Sequence, residues 1–384
     1  MERDKTFWGL IGAVFLMMIG VGMIVALLPQ RVIELDGHSR FVGYLASAVA
    51  LPYIVLQVPI GLLADRFGFK PFLVGSYGVC FTAGLLFYFS DRSFMLFWGR
   101  LLQGVGEAPV WALAPALLAL RFPSRKGKVM GIYNATIHLG LMAGSVGGIV
   151  VAKIWQKGEP FLLYATLCLL GAVILGIALP GTKPATVSER ETWTLARLGA
   201  LLRQGGVAGT LAGIALYGAG YGIFLTNIPA YLLEVKAASA TMVGIFFALF
   251  YLAVSAAQVV TGHLTDRLGS RVFMAGGLGL AALGLSASPF CDLEWLLLVL
   301  SIGSLGLGVF CIASMTFLQG AVPDALKGTT GGAYYLFWGL GMFVGPPLFT
   351  MMAQGQGYFL AMQAYAGLLG LGALGIVAMV KRKG

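Results

Sequence analysis

Charge is what this chain has least of: among 384 residues only 10% are charged, 15 are acidic and three are histidine. A soluble fold of that length needs a polar surface, and 59% hydrophobic residues leave too little to cover one. Cysteine is equally sparse. Cys80, Cys168, Cys291 and Cys311 show no CxxC or His-paired spacing, so a metal or redox site has no support and all four read as small apolar fillers. Phosphate loops and nucleophile constellations are missing too, so neither an enzyme nor a cofactor is expected. A formal charge of +10 would point to nucleic acid in a soluble protein. Here it poses another question, on which side of a bilayer the charge lies.

What the chain does have is apolar stretches of about 20 residues, the length that crosses a bilayer as a helix. They predict twelve spans, near 8–29, 41–63, 72–89, 94–119, 129–152, 161–179, 207–233, 241–264, 272–288, 295–321, 329–353 and 358–380. The first span is followed by many others, which does not fit a cleavable signal peptide. Of the 25 lysines and arginines, eighteen fall in the breaks and termini on one side, six on the other, and Arg100 within a span. The positive-inside rule then predicts that both termini are cytoplasmic, as expected for an integral protein of a bacterial cytoplasmic membrane.

The longest break, 180–206, is a linker between an N-terminal bundle, 1–179, and a C-terminal bundle, 207–384. Within it Leu195, Leu198, Leu201 and Leu202 recur at helical spacing, which suits either a short helix on the membrane surface or a plain tether. The linker separates two copies of one pattern. Residues 61–70 read GLLADRFGFK and 262–271 read GHLTDRLGSR, an offset of 201. That offset also pairs Gln57 with Gln258, Gly140 with Gly341 and Gly144 with Gly345. The expected fold is an all-α membrane protein, twelve transmembrane helices in two pseudo-symmetric six-helix bundles. In such architectures solute sites form between the halves at mid-membrane.

GLLADRFGFKP at 61–71 resembles the loop signature between the second and third helices of the major facilitator superfamily, and 262–271 is similar to its second copy. LFWGRLLQGVGEA at 96–108 looks like the fourth-helix signature of proton-coupled members, with Arg100, Gln103, Gly104 and Gly106 in place. GLMAGSVGG at 140–148 resembles the fifth-helix signature of the twelve-helix drug:proton antiporters, although Ser145 stands where proline is usual. The resemblance covers the whole chain. It implies a major facilitator fold and an inner-gate latch formed by Asp65, Arg66 and Lys70 with Asp266, Arg267 and Arg271. Elementary chemistry leaves a second reading, a two-residue solvated turn at Asp65 and Arg66 whose acid caps a helix start or pairs with a neighbouring base.

Ionisable residues inside spans are costly facing lipid, about 2.5–3.5 kcal/mol on insertion scales, so they face a cavity or a partner. Arg100 and Glu107, seven residues apart, share one face of the fourth helix. Burial and a nearby guanidinium act oppositely on a carboxyl's proton. Glu107 is therefore the candidate proton carrier, tuned by Arg100; the competing reading is a static buried ion pair. His138, on the fifth helix, is either a packing residue or a second proton site. Candidate lining of the solute path comprises Tyr53, Gln57, Trp111, Asn134, Tyr217, Tyr221, Asn227, Gln258, Gln319, Tyr334, Tyr335 and Trp338.

An apolar, aromatic lining suits an amphipathic or drug-like solute better than a phosphate ester. The expected function is proton-coupled transport by alternating access, with export of such a molecule. The expected protein is a monomer whose partners are the small-molecule substrate, protons and membrane lipids, with no nucleic acid. A transporter of one polar metabolite, a lipid flippase and a non-transporting membrane sensor remain open.

Overall fold

In a bilayer core a backbone group has no water to bond, so a chain this apolar must satisfy its N–H and C=O groups within helices. A computed structural model describes residues 2–122, 126–154, 158–181, 199, 202–203, 205–321 and 327–379, and among these it shows helices joined by short turns. The first six are α1 (Glu2–Asp36), α2 (Val42–Phe67), α3 (Phe69–Tyr88), α4 (Ser93–Arg121), α5 (Lys126–Ile154) and α6 (Glu159–Ala178). The second six are α7 (Val207–Glu234), α8 (Ala240–Leu268), α9 (Ser270–Ala287), α10 (Leu293–Ala321), α11 (Lys327–Gln356) and α12 (Tyr358–Met379). Nine of them, among the described residues, carry apolar runs long enough to cross a membrane. Large apolar side chains such as Ile177, Leu283 and Leu374 are exposed on the helix surfaces, as lipid rather than water requires.

The chain divides into two compact units, Met1–Arg190 with Ser239–Ala248, and Glu191–Ala238 with Leu249–Gly384. In the first, α1 packs on α5 and α6, α3 on α4 and α6, and α2 on α4. In the second, α7 packs on α11 and α12, and α9 on α10 and α12. The internal repeat seen in sequence is thus a repeat of packing. The Leu195–Leu202 stretch of the linker lies almost wholly outside the described residues.

Two features of the repeat acquire a physical cause. Gly68 and Gly269, 201 residues apart, have φ of 87° and 82°, a region that favours glycine, and each alone reverses the chain between consecutive helices. Their N–H groups close α2 and α8 onto Ala64 O at 2.8 Å and Thr265 O at 3.0 Å. This corrects the expected turn: α2 continues through Asp65 and Arg66 to Phe67, and Gly68 is the residue before α3. The reason is that a single residue of positive φ suffices to reverse the chain, so α2 extends up to it.

Gly144 and Gly345 explain themselves by contact. A Cβ on Gly144 would overlap Ile19 O of α1, and one on Gly345 would overlap Ala219 of α7. Helices in lipid gain little from apolar burial against one another, so close backbone approach supplies the packing contacts that hold α1 to α5 and α7 to α11. Beside Gly144, Ser145 is fully buried and returns its hydroxyl to Leu141 O at 2.9 Å.

A further duplication was not anticipated. Arg31 of α1 donates from Nη2 to Ser90 O at 3.4 Å, and Lys236, just past α7, donates from Nζ to Cys291 O at 2.8 Å. The acceptors are 201 residues apart, and both follow the C-terminal end of the third helix of their half, where a cation offsets the helix dipole. The first helix is also longer than expected. It runs through Pro29 to Asp36 because Gln30 and Arg31 both reach Glu34, at 2.8 and 3.4 Å, and stabilise the extra turns.

Substitution on α5 tests the packing argument. Gly144→Ala is expected to cost about 1–3 kcal/mol through overpacking and to lower the thermal midpoint of the purified protein. Gly147→Ala, on the same helix with nothing within 4 Å of its added Cβ, should leave it unchanged. Equal midpoints for the two variants would remove glycine-mediated approach as the cause.

Candidate functional site

The densest polar cluster in the first half is strung along one stripe of α4. Arg100, Gln103, Glu107 and Trp111 follow at intervals of three, four and four residues, which places them on one helix face. Arg100 Nη1 donates to Gln103 Oε1 at 2.9 Å, and Gln103 Nε2 donates to Glu107 Oε1 at 2.7 Å. From α2, the Tyr53 hydroxyl donates to Glu107 Oε2 at 2.7 Å, and Trp111 Nε1 lies 3.4 Å from the same oxygen. Arg100, Gln103 and Glu107 are 3%, 0% and 4% exposed, so this is a desolvated network. An ionised carboxylate so placed needs such donors, because an uncompensated buried charge costs several kcal/mol.

Sequence reading assigned Arg100 and Glu107 to one face, and the structure places them there, with Gln103 relaying between them. Gln103 was legible only as part of a helix signature; its position three residues after Arg100 and four before Glu107 was the signal for its bridging. Gly104 brings α2 close beneath the cluster: a Cβ there would lie 2.5 Å from Val49 O and 3.0 Å from the Pro52 ring. The network draws on α2 and α4, whereas His138 is half-buried on α5.

The second half carries a different cluster. The Tyr334 hydroxyl of α11 donates to Cys311 Sγ at 3.5 Å, and Gln258 Nε2 of α8 lies 3.7 Å from the same sulfur. Tyr217 of α7 also faces Cys311. The expectation that every cysteine is an apolar filler therefore fails at Cys311: a thiol is both a small apolar group and a weak acceptor, and here three polar side chains use the second property. The repeat carried a signal for this arrangement. Tyr133 is the counterpart of Tyr334 at the same offset, and its hydroxyl donates to Val110 O at 3.3 Å, Val110 being the counterpart of Cys311.

Around the cysteine cluster the expected aromatic residues do assemble. Tyr221 contacts Tyr217, Phe250 and Trp338 with ring centroids 6.1, 5.4 and 5.9 Å apart, and Tyr334 contacts Tyr335 at 5.5 Å. Phe250 was missed because a phenylalanine on an apolar helix carries no distinguishing pattern. Asn227 is placed elsewhere: its Nδ2 donates to Thr350 Oγ1 at 2.6 Å and Pro346 O at 3.4 Å, and its Oδ1 accepts from Thr226. Those bonds join α7 to α11. Gln57 is half-buried on α2, and Lys70 and Arg271 are half-buried at the starts of α3 and α9. The side chains of Asp65, Arg66, Asn134, Asp266, Arg267 and Gln319 lie outside the described residues.

Among the described residues this is an apolar, internally duplicated set of twelve long helices, the build of a polytopic membrane protein. The Major Facilitator Superfamily model matches residues 10–346 and 210–383, and the chain belongs to that superfamily. It is similar to the class C tetracycline resistance protein of Escherichia coli, 26% identical over 370 residues, covering 91% of this chain and 90% of the relative. An uncharacterized MFS-type transporter of Methanocaldococcus jannaschii is 25% identical over 365 residues, covering 88% and 89% of the two chains. In fold it resembles the nucleoside transporter NupG, with a TM-score of 0.80 at 13% identity over 98% of this chain and 100% of that one.

Burial makes a simple prediction about the four thiols. Cys80, Cys168 and Cys311 are buried and Cys291 is partly exposed, so a maleimide should modify one thiol per native chain and the remainder only after unfolding. Mass spectrometry reads the count and the position. Rapid native labelling of Cys311 would show that its cluster is open.

Proposed function

We propose that this protein is a proton-coupled secondary transporter that works by alternating access and exports an amphipathic, drug-like molecule from a bacterial cytoplasm. The observation that carries the reading is Glu107, a carboxyl buried among Tyr53, Gln103 and Trp111 with Arg100 one residue further along the network. The fold does not require it. At the offset of 201 the second half has Ser301 in place of Arg100 and Gly308 in place of Glu107. An acid retained at a cost in a membrane helix, where the duplicated scaffold manages without one, marks a functional position. The tetracycline resistance protein among its relatives supports the drug-like class. The aromatic groups Tyr53 and Trp111 in one half, and Tyr217, Tyr221 and Trp338 in the other, are suited to a flat apolar solute.

In this reading Glu107 binds and releases the coupled proton, Arg100 tunes it through Gln103, and His138 is the next candidate. Asp65 with Arg66 and Lys70, and Asp266 with Arg267 and Arg271, control the inner gate. The termini are cytoplasmic and the working unit is a monomer.

Vesicles reconstituted with the protein and supplied with a proton gradient test the assignment, with tetracycline as the probe solute. Glu107→Gln is expected to abolish gradient-driven accumulation while preserving solute counterflow, because the amide mimics the protonated acid. Accumulation with the usual pH dependence in the variant would exclude Glu107 as the carrier. Loss of expression, folding and every transport mode together would instead mark a structural network.

Membrane side is tested separately with Cys291. An impermeant maleimide should label it from the outer face of intact cells. Labelling only in inverted vesicles would reverse the assigned orientation.

A further inference from the structure

The hydrogen bond from Tyr53 to Glu107 is the described side-chain link between the buried acid and another helix. The helix it reaches is built to bend. Pro52 immediately precedes Tyr53 and Pro59 follows within two turns, both inside α2. Each proline removes one backbone N–H from the helical ladder and crowds the preceding turn, which lowers the cost of a kink. Just beneath, Gly104 lets the α2 backbone at Val49 and the ring of Pro52 lie against α4. The hydroxyl of Tyr53 therefore meets the acid beside a point of backbone contact and one residue from Pro52.

The second half shows what the same place looks like without the link. At the offset of 201 Tyr53 becomes Val254 and Glu107 becomes Gly308, and those two residues also touch: a Cβ on Gly308 would lie 2.7 Å from Val254 O. There α8 meets α10 through the Val254 backbone and the Ala257 methyl, with neither a phenol nor an acid at the two positions, so the Tyr53–Glu107 bond is an addition to the shared scaffold. We infer that Tyr53 is a positioning residue that ties the bend of α2 to the protonation state of Glu107. This rests on the reading of Glu107 as the proton carrier. A hydrogen bond to an ionised carboxylate is roughly twice as strong as one to a neutral partner. Ionised Glu107 holds Tyr53 and straightens the approach of α2; the protonated acid holds it more weakly, and α2 relaxes about Pro52. Since α2 ends in the 61–70 signature, relaxation is delivered to the segment carrying Asp65.

The titratable or charged groups around Glu107 are Tyr53 of α2, Tyr77 and Cys80 of α3, Arg100 of α4 and Tyr164 of α6, with Cys168 of α6 beside Cys80 and Tyr133 of α5 beside Tyr77; His138 lies further along α5. Phenols and thiols ordinarily titrate at about pH 8.5 or above. Glu107 and His138 are the two candidate proton sites, and the experiment separates them.

The proton itself is the probe. Trp111, kept as the single tryptophan, reports on Glu107 through its 3.4 Å contact. Spin labels at Leu63→Cys on α2 and Arg121→Cys on α4, with the native cysteines replaced, report on the bend. In the parent, Trp111 emission and the interspin distance should change over the same pH range. In Tyr53→Phe the emission should still titrate while the distance change falls below half of the parent's. Pro52→Ala, which stiffens α2, should uncouple them in the same way and serves if the phenylalanine variant folds poorly. In Glu107→Gln both changes should vanish. A parental distance that ignores pH while the emission titrates, or a Tyr53→Phe protein whose distance still follows its emission, overturns the role of Tyr53 and leaves Glu107 as carrier. Full titration of both signals in Glu107→Gln overturns the carrier assignment itself and points to His138.

Discussion

The bilayer core offers no hydrogen-bonding partner, and this shortage governs both the scaffold and its exceptions. Backbone groups are satisfied by helices, which is why the described elements are helical from end to end. Side-chain polar groups need partners supplied by the protein as well: Ser145 returns to its own helix, Asn227 reaches Thr350 and Gln103 reaches Glu107. With apolar burial contributing little between helices in lipid, cohesion comes from close packing. The glycines at which α5 meets α1 and α11 meets α7 are therefore structural before they are anything else, and the repeat preserves them for that reason.

Duplication supplies an internal control that a single-copy fold lacks. Where both halves keep a feature, the feature belongs to the scaffold: Gly68 and Gly269 at the turns, Arg31 and Lys236 on the carbonyls of Ser90 and Cys291, Tyr133 and Tyr334 reaching residues 110 and 311. Where they part, the feature is not required by the shared scaffold. Arg100 and Glu107 have no counterparts in the second half, and the thiol of Cys311 has none in the first. The two cation-to-carbonyl clasps, Arg31 on Ser90 and Lys236 on Cys291, show that chemistry can change while the task is kept, since a guanidinium and an ammonium serve the same helix end.

Much of this was legible in the sequence because hydropathy has a length scale set by the membrane. Twelve apolar runs correspond to twelve long helices among the described residues, and one offset corresponds to a repeat of packing, α1, α3, α4, α5 and α6 being matched by α7, α9, α10, α11 and α12. What escaped reading did so for identifiable reasons. The extension of α1 past Pro29 depends on Gln30, Arg31 and Glu34, short-range polar contacts that a hydropathy window averages away. The clasps end on backbone carbonyls, which every residue has and no sequence marks. Cys311 was misread because a cysteine's character is set by its neighbours, and those come from α7, α8 and α11. The pairing of Tyr53 with Glu107 joins residues 54 apart, beyond any helical periodicity.

The composition of the network around Glu107 bears on what the acid can do. Its named donors are a phenol, an amide and an indole, all neutral. A direct arginine partner would resist protonation of the acid, because the guanidinium would then be left with a neutral neighbour inside the membrane. A phenol has no such constraint: its oxygen both donates and accepts, so Tyr53 can remain bonded to the acid in either state, with a change in strength rather than a lost partner. Interposing Gln103 between Arg100 and Glu107 places an uncharged, two-ended group where an ion pair would otherwise lock. On the proposed reading the Gln103 amide can keep a hydrogen bond to the acid in either protonation state, since it carries both a donor and an acceptor.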